Sequence, residues 1–250
     1  MLLFDSHAHL DSQDYPYKPS LTDVVAVSVD LASSRSNVDI KSNYPSLTIH
    51  SFVGIHPWFI SKGYQADLEC LAEFVSYTGT KIAGIGEIGL DYYRNADNKL
   101  DQQTCLDFQL QLASLHRLPV SLHCVKAFND LYNTLRGFDI KGVVHSMPLM
   151  PVEAKRFYQL GFLLGLNPRI LQSSHDKRHA FYSQLPLTAW VIESDFPNLS
   201  SSNLCIDPVL GMIALIKDLA HAYGISDEAV AQQIYNTTKQ FVTRNIDEFK

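Results

Sequence analysis

Six residues with metal-binding side chains are scattered along this 250-residue chain, each where a predicted strand ends. They are His7, His9, Glu87, His123, His145 and Asp195. His7 and His9 are two residues apart, and because side chains alternate between the faces of a strand, both can reach one ion. Neutral imidazole is a good ligand for zinc and similar metals. If the fold brings these side chains together, they predict a metal centre.

Each of these residues also has a simpler interpretation on its own. Glu87 ends the apolar run IAGIGE, where a buried carboxylate is costly unless a cation such as Lys81 or Arg94 pairs with it. His123 and His145 each follow an apolar run and could be ordinary hydrogen-bonded histidines. We favour a shared metal site, because unrelated structural roles would not be expected to place these residues at the same end of the first, fourth, fifth, sixth and eighth strands.

Two carboxylates, Glu193 and Asp195, flank Ser194 after the last predicted strand. Their spacing suggests that both face one side of the chain. Asp195 would then bind the metal, and Glu193 would support one of the other ligands from behind.

The elements that must position these residues alternate between short apolar runs and longer helical segments. Predicted strands cover residues 2–6, 24–29, 47–55, 82–86, 120–123, 142–145, 162–166 and 189–193. Eight strands with helical connections predict an α/β fold, a single-domain (β/α)8 barrel over residues 1–250, whose strands all open their carboxyl ends onto one face. An open doubly wound sheet is the alternative, but no glycine-rich phosphate-binding motif follows the first strand.

Helical spacing is clearest between the fourth and fifth strands and after the eighth. A predicted apolar stripe consists of Cys105, Phe108, Leu112 and Leu115. A long apolar helix is expected from about Pro208 to Ala220, ended by Gly224, and Ser226 is expected to cap a final helix. Residues 11–21 contain two prolines and little periodicity, so they are predicted to form a loop.

Composition limits the function classes. With 46% hydrophobic residues the chain can bury a large core, and its net charge of −6 argues against broad adhesion to nucleic acid. Four dispersed cysteines, Cys70, Cys105, Cys124 and Cys205, indicate reduced thiols rather than disulfides. The N-terminus is expected to be a first strand rather than a signal peptide, and no apolar run could span a bilayer. We therefore expect a cytoplasmic monomer without a membrane partner.

The remaining histidines have different interpretations. His56, in GIHPW after the third strand, lies at the predicted catalytic end and is a candidate substrate contact. His175 and His179 are four residues apart in HDKRH, which we interpret as the solvated charged face of a helix. His116 and His221 also fall in predicted helices and are expected at the surface.

Several sequence blocks resemble the TatD family of metal-dependent hydrolases in the amidohydrolase superfamily. These blocks are FDSHAHLD, GIHPW, GEIGLDYYR, PVSLHC, GVVHS and ESDFP, which extend from residue 4 to residue 197. The resemblance implies a (β/α)8 barrel. It also implies an activity, since several family members are described as metal-dependent deoxyribonucleases and others have been linked to deacylation of D-aminoacyl-tRNA.

The resemblance also implies a role for each of the six residues. His7 and His9 would bind one metal ion, His123 and His145 the second, and Glu87 would bridge the two. Asp195 would ligate the first ion and act on the nucleophilic water.

The chain departs from the family pattern around the pocket. Many relatives have HCFSG where this chain has HSMPL from His145, and Trp58 replaces a second histidine. The ESDFP run likewise differs from the family's ETDAP-like sequence. The ligand set is complete, so these departures affect the substrate more than the hydrolytic machinery.

The resemblance leads us to expect a hydrolytic mechanism that uses two metal ions. Two cations about 3.5–4 Å apart would share a hydroxide that attacks a phosphodiester, with Asp195 as general base. Arg94, Lys126 and Arg169 follow predicted strands and could neutralise phosphate, although solvated loop charge is the alternative. His56 and Trp58 could contact a nucleotide, Trp58 by stacking on a base. DNA is the expected substrate.

Two alternatives remain open. The same site could act on an ester or amide, as in a deacylase, or the barrel could bind metal without catalysis. The metal could be Zn²⁺, Mn²⁺ or Mg²⁺; four imidazoles favour zinc, manganese, cobalt or iron over magnesium, which prefers oxygen ligands.

Overall fold

Parallel strands that pair in chain order form the centre of the fold. The structure is a computed structural model that describes residues 1–10, 15–16, 18–94, 96–198 and 207–243. These described residues form one sheet of eight strands, all neighbours being parallel. The strands are β1 (Leu3–Ala8), β2 (Leu21–Ala26), β3 (Thr48–Val53), β4 (Gly84–Asp91), β5 (Val120–Val125), β6 (Gly142–Val144), β7 (Leu163–Leu166) and β8 (Trp190–Ile192). The predicted α/β barrel class is confirmed.

Backbone hydrogen bonds join the first strand to the segment after the last one. The amide of Asp195 donates to the carbonyl of His7 (3.0 Å), and the amide of His9 donates to the carbonyl of Phe196 (2.8 Å). Ala8 and Phe196 form a parallel bridge at the same place. The sheet therefore curls into a nearly closed barrel, and its closure depends on backbone next to three predicted site residues.

Helices cover the outside of the barrel. Within the described ranges they are α1 (Leu31–Asp39), α2 (Tyr64–Thr78), α3 (Lys99–His116), α4 (Phe128–Leu135), α5 (Pro151–Gln159), α6 (His175–Tyr182), α7 (Pro208–Tyr223) and α8 (Asp227–Val242). As predicted, Gly224 follows α7, and the Ser226 side chain caps α8 by accepting a hydrogen bond from the Ala229 amide. Within the loop predicted for residues 11–21, residues 11–14 and 17 lie outside the described residues.

Two details of the sequence prediction were wrong. Leu115 is 78% exposed, because the buried face of α3 runs through Gln109 and Ala113 instead. Strand β4 extends to Asp91 rather than ending at residue 86, and β5 extends to Val125, so Glu87 and His123 lie within strands. Polar residues end an apolar run in the sequence, but their backbone continues the hydrogen-bonded ladder.

Two further observations concern the predictions about the cysteines and about membrane spans. Cys70, Cys105 and Cys124 have free thiols, and Cys205 lies outside the described residues. Among the residues that the structure describes, no single helix is long and apolar enough to cross a membrane; α7 and α8, bent by 110°, meet that test only as a pair.

A close backbone approach fixes β4 against β5 beside the site. Gly89 pairs with His123, has φ = 149°, and a Cβ added to it would lie 2.0 Å from the His123 carbonyl oxygen. Only a glycine fits this position without moving the backbone that carries His123.

We expect Gly89→Ala to lower the free energy of unfolding by roughly 2–5 kcal/mol, because backbone strain and overpacking add. Urea unfolding followed by circular dichroism measures the loss. Gly161→Ala is the matched control: Gly161 also has positive φ (88°), but no heavy atom lies within 4 Å of its added Cβ. Equal losses in the two variants would show that the contact with His123 is unimportant.

A polar cluster ties the final helix to the barrel. Asp23 on β2 accepts hydrogen bonds from Tyr235 of α8 (2.8 Å) and Thr22 (2.8 Å), and its other oxygen lies 3.1 Å from His50 Nε2. Burial raises the pKa of Asp23, but these hydrogen bonds, that of His50 first, outweigh it and hold the pKa below its ordinary value. The carboxylate is therefore more stable in the folded chain than in the unfolded one.

We expect Asp23→Asn to destabilise the protein by about 1 kcal/mol at pH 7. A carboxylate whose pKa is lower in the folded chain stabilises the fold at pH values above its ordinary pKa, which is near 4, and this stabilisation is lost as the pH falls through the lowered pKa. The difference in stability between variant and wild type should therefore shrink below about pH 4. Urea midpoints across pH measure it. Glu69→Gln, at an exposed position on α2, should show no such trend; a pH-independent difference for Asp23→Asn would contradict the account.

Candidate metal centre and substrate cleft

The carboxylate of Glu87 lies at the centre of the site. Its Oε2 atom is 3.3 Å from His7 Nε2 and 3.5 Å from His9 Nε2. Its Oε1 atom is 2.8 Å from His123 Nδ1 and 3.0 Å from His145 Nε2. Each oxygen therefore faces a different histidine pair, which is the arrangement that a bridging carboxylate requires.

Asp195 follows β8 on the His9 side of this carboxylate. Its Oδ1 lies 3.9 Å from His9 Nε2 and accepts a hydrogen bond from Asn198 Nδ2 (3.0 Å). The residue has φ = 49°, a left-handed conformation that costs energy outside glycine and that aims its side chain into the site. The structure thus brings all of the predicted ligand residues together at one end of the barrel.

The outward nitrogens of three histidines face polar groups behind the rings. His7 Nδ1 lies 3.1 Å from Ser121 Oγ. His123 Nε2 lies 3.2 Å from Asp91 Oδ2, and His145 Nδ1 lies 3.4 Å from Glu193 Oε1. A carboxylate that accepts the outer N–H leaves the inner nitrogen with its lone pair facing the centre. This is the arrangement that prepares an imidazole to bind a metal ion.

The supporting carboxylates are themselves anchored. Asp91 accepts hydrogen bonds from Trp58 Nε1 (2.6 Å) and from the backbone amides of Tyr93 and Arg94 (both 2.8 Å). Glu193, which the sequence had suggested as a support, accepts one from the Ser146 amide (2.7 Å).

Asp91 and Ser121 were not found from the sequence. For Asp91 a signal existed: it lies four residues after Glu87, on the same face of an extended strand. Ser121, in the middle of an apolar run, carried none.

His56 belongs to the same cluster but has a different hydrogen-bonding role. Its Nδ1 accepts the Trp58 backbone amide (3.1 Å), and its Nε2 lies 3.5 Å from Glu87 Oε1. Burial lowers the pKa of His56 to about 4, so the ring is neutral at pH 7 and its one proton must be on Nε2. His56 is therefore placed as a hydrogen-bond donor, which fits a substrate contact better than a ligand.

Negative charge and lone pairs accumulate at the centre. Burial raises the pKa of Glu87, but the surrounding imidazoles, His145 first, hold it well below its ordinary value. Burial lowers the pKa values of His123 and His145, but Glu87, Asp91 and Glu193 outweigh burial and raise both. Burial lowers the pKa of His9 to about 4. The carboxylates therefore favour positive charge on His123 and His145, whereas burial favours the neutral form of His9.

The side chains fit divalent cations. Among the described residues, three buried groups have ligand atoms within 4.8 Å of one another, and the first two of them share His7: His7, His9 and Asp195; His7, His145 and Glu193; and His56, Glu87 and His123. His7 Nε2 is buried with no hydrogen-bond partner of acceptable geometry. A buried imidazole nitrogen in that condition needs a cation or a polar ligand.

An open cleft of about 780 Å³ leads to this centre, a volume in the range of ligand pockets. Predicted substrate contacts that line it are His56, Trp58, Arg94 and Arg169. Trp58 is 38% exposed, and the Arg94 guanidinium lies 4.1 Å from its ring centre, so one face of the indole is already covered. Lys126 lies outside this lining; its ammonium sits 4.5 Å from the ring centre of Tyr93.

Comparisons with known proteins identify the class. The chain matches the family model described as TatD related DNase over residues 4–243, and it therefore belongs to this family of metal-dependent hydrolases. The predicted family is confirmed.

Individual relatives agree with that assignment. An Escherichia coli protein named uncharacterized metal-dependent hydrolase YjjV is 32% identical over 64% of this chain, a match that spans 62% of that protein. A human protein named deoxyribonuclease TATDN3 is 24% identical over 92% of this chain and 90% of its own length. The crystal structure of YjjV superposes with a TM-score of 0.83 at 24% identity, covering 96% of this chain and 97% of the other, which supports the fold.

The Asp91 support should matter for metal affinity. We expect Asp91→Asn to weaken metal binding by about 10–100-fold, because the amide holds the outer nitrogen of His123 less well. Zinc titration against a chromophoric chelator measures the affinity. Asp97→Asn, at an exposed position after the same strand, is the control. If the two variants bind metal equally well, Asp91 does not support the centre.

Proposed function

We propose that the protein is a divalent-metal-dependent deoxyribonuclease that hydrolyses phosphodiester bonds. The observation that carries the proposal is the division of the Glu87 carboxylate between two histidine pairs, beneath a cleft that is lined by arginines. Relatives named as deoxyribonucleases support the substrate class.

Two cation positions are proposed. His7, His9 and Asp195 would hold one ion, His123 and His145 the other, and Glu87 would lie between them. Divalent ions held there would polarise the phosphodiester and lower the pKa of the attacking water toward neutrality. The abundance of imidazole favours zinc or manganese over magnesium.

Asp195 is the proposed general base. Its carboxylate lies beside His9 at the cleft, and Asn198 donates to one of its oxygens, which fixes its orientation. It would accept the proton from the attacking water and later deliver it to the leaving oxygen.

Substrate binding would use donors on the cleft wall. The Nε2–H of His56 would donate to a phosphate oxygen, and the guanidinium groups of Arg94 and Arg169 would neutralise its charge. Trp58 could stack on a base through the face that Arg94 does not cover. Lys126 would take part only if it moved away from Tyr93.

The test uses a short, end-labelled single-stranded DNA with the metal-stripped protein, followed by addition of zinc, manganese or magnesium. Hydrolysis should require metal, and Asp195→Asn should lower kcat by about 10²–10⁴-fold, as expected for loss of a general base. His123→Ala should lose both metal affinity and turnover. His116→Ala, far along α3 from these residues, should leave both unchanged.

Three outcomes would overturn the proposal. Undiminished hydrolysis by Asp195→Asn and His123→Ala would show that the nuclease activity arises elsewhere. Hydrolysis restricted to ester or amide substrates in a parallel panel would indicate a deacylase that uses the same centre. Tight metal binding without turnover of any substrate would indicate a non-catalytic barrel.

A further inference from the structure

We propose a second metal site, separate from the Glu87 centre, formed by His175 and His179 of α6 and His221 of α7. One ring nitrogen of each residue lies within 4.8 Å of the others. His175 and His221 are exposed and His179 is half-buried, so the cluster is open to solvent. It shares no residue with the Glu87 centre.

The geometry suits a small transition-metal ion. His175 and His179 are four residues apart on a helix, which places both on one face, as in zinc sites built on helical histidines. His175 Nε2 is 3.0 Å from His221 Nδ1. Ligand nitrogens around tetrahedral zinc are about 3.3 Å apart when the Zn–N bonds are 2.0–2.1 Å long. The separations within the cluster, one of 3.0 Å and none above 4.8 Å, are of this order, so the rings could turn to share an ion.

An ion pair between Arg178 and Asp218 joins α6 to α7. Arg178 donates to both oxygens of Asp218 on α7, Nε to Oδ2 and Nη2 to Oδ1, each at 2.7 Å. Tyr182 donates to the same carboxylate (3.1 Å). Since this contact does not involve His175 or His221, the two helices are held in position before any metal binds, which reduces the entropy lost on binding.

The same carboxylate also orients one of the three rings. Asp218 Oδ1 lies 3.4 Å from His179 Nε2, so it can hold that nitrogen and turn the other ring nitrogen toward an ion. The ligands offered are imidazoles alone, which select zinc, nickel or copper over magnesium and calcium. Exposure of His175 and His221 leaves room for water to complete the coordination.

A metal ion bound at this site would link α6 to α7 and stabilise their packing.

The sequence predicted a solvated charged face for HDKRH, and the exposure of His175 agrees with it. The third histidine comes from a later helix, so the sequence pattern of α6 alone could not indicate a complete site.

The experiment compares zinc binding by the full-length chain and by two single variants, His179→Ala and His221→Ala, using isothermal titration and elemental analysis after gel filtration. Wild type should bind one equivalent more than either variant, or bind the additional equivalent at least 10-fold more tightly. His116→Ala, a half-buried histidine on α3, should match wild type. Circular dichroism confirms that each variant is folded, and since His221 is exposed, its removal leaves the core intact.

A second measurement locates the site at the surface. Untagged wild-type protein should be retained on immobilised Ni²⁺ resin and elute at a higher imidazole concentration than His179→Ala or His221→Ala. Equal zinc stoichiometry and affinity in wild type and both variants, with identical elution, would overturn the proposal. Because the Glu87 centre is intact in every protein compared, these results do not depend on whether the proposed nuclease activity is found.

Discussion

The structure depends on a carboxylate, Glu87, that is 2% exposed and surrounded by imidazoles. A buried carboxylate is tolerable only where positive charge or hydrogen-bond donors compensate for lost hydration. Those groups come from strands at distant points of the chain, so the compensation exists only when the barrel is closed. The backbone bonds from Asp195 to His7 and from His9 to Phe196 therefore join closure of the fold to assembly of the site.

The division of roles among the histidines follows from what lies behind each ring. Asp91 Oδ2 lies 3.2 Å from the outer nitrogen of His123, and Glu193 Oε1 lies 3.4 Å from that of His145. With carboxylates behind these rings, the inner nitrogens are the ones placed to bind a cation. At His56 the contact is the opposite one: the Trp58 amide donates to the outer nitrogen, so the inner nitrogen must carry the proton. Rings of the same chemistry are thus suited either to bind a metal ion or to donate a hydrogen bond, according to the group that lies behind each ring.

This explains how much the sequence could predict. The strand order and the convergence of the candidate metal ligands follow from apolar runs and the topology of a parallel barrel. The extension of β4 to Asp91 could not be predicted from the apolar runs, because backbone pairing continues through polar residues such as Glu87. Nor could the pattern around His56 show which nitrogen is protonated, since that depends on the local backbone. Tertiary partners such as Ser121 and His221 lie beyond any local pattern.

The distribution of charge bears on the form of the DNA substrate that we propose. The chain has a net charge of −6, so its surface as a whole repels a polyanion. Attraction must come from the cleft, where Arg94 and Arg169 lie on the wall and cations would lie at the base. Asp30 lines the same cleft and limits how far that positive region extends. If the protein acts on DNA as we propose, such a short-range field would favour a flexible strand that presents one phosphodiester at a time over a long rigid duplex.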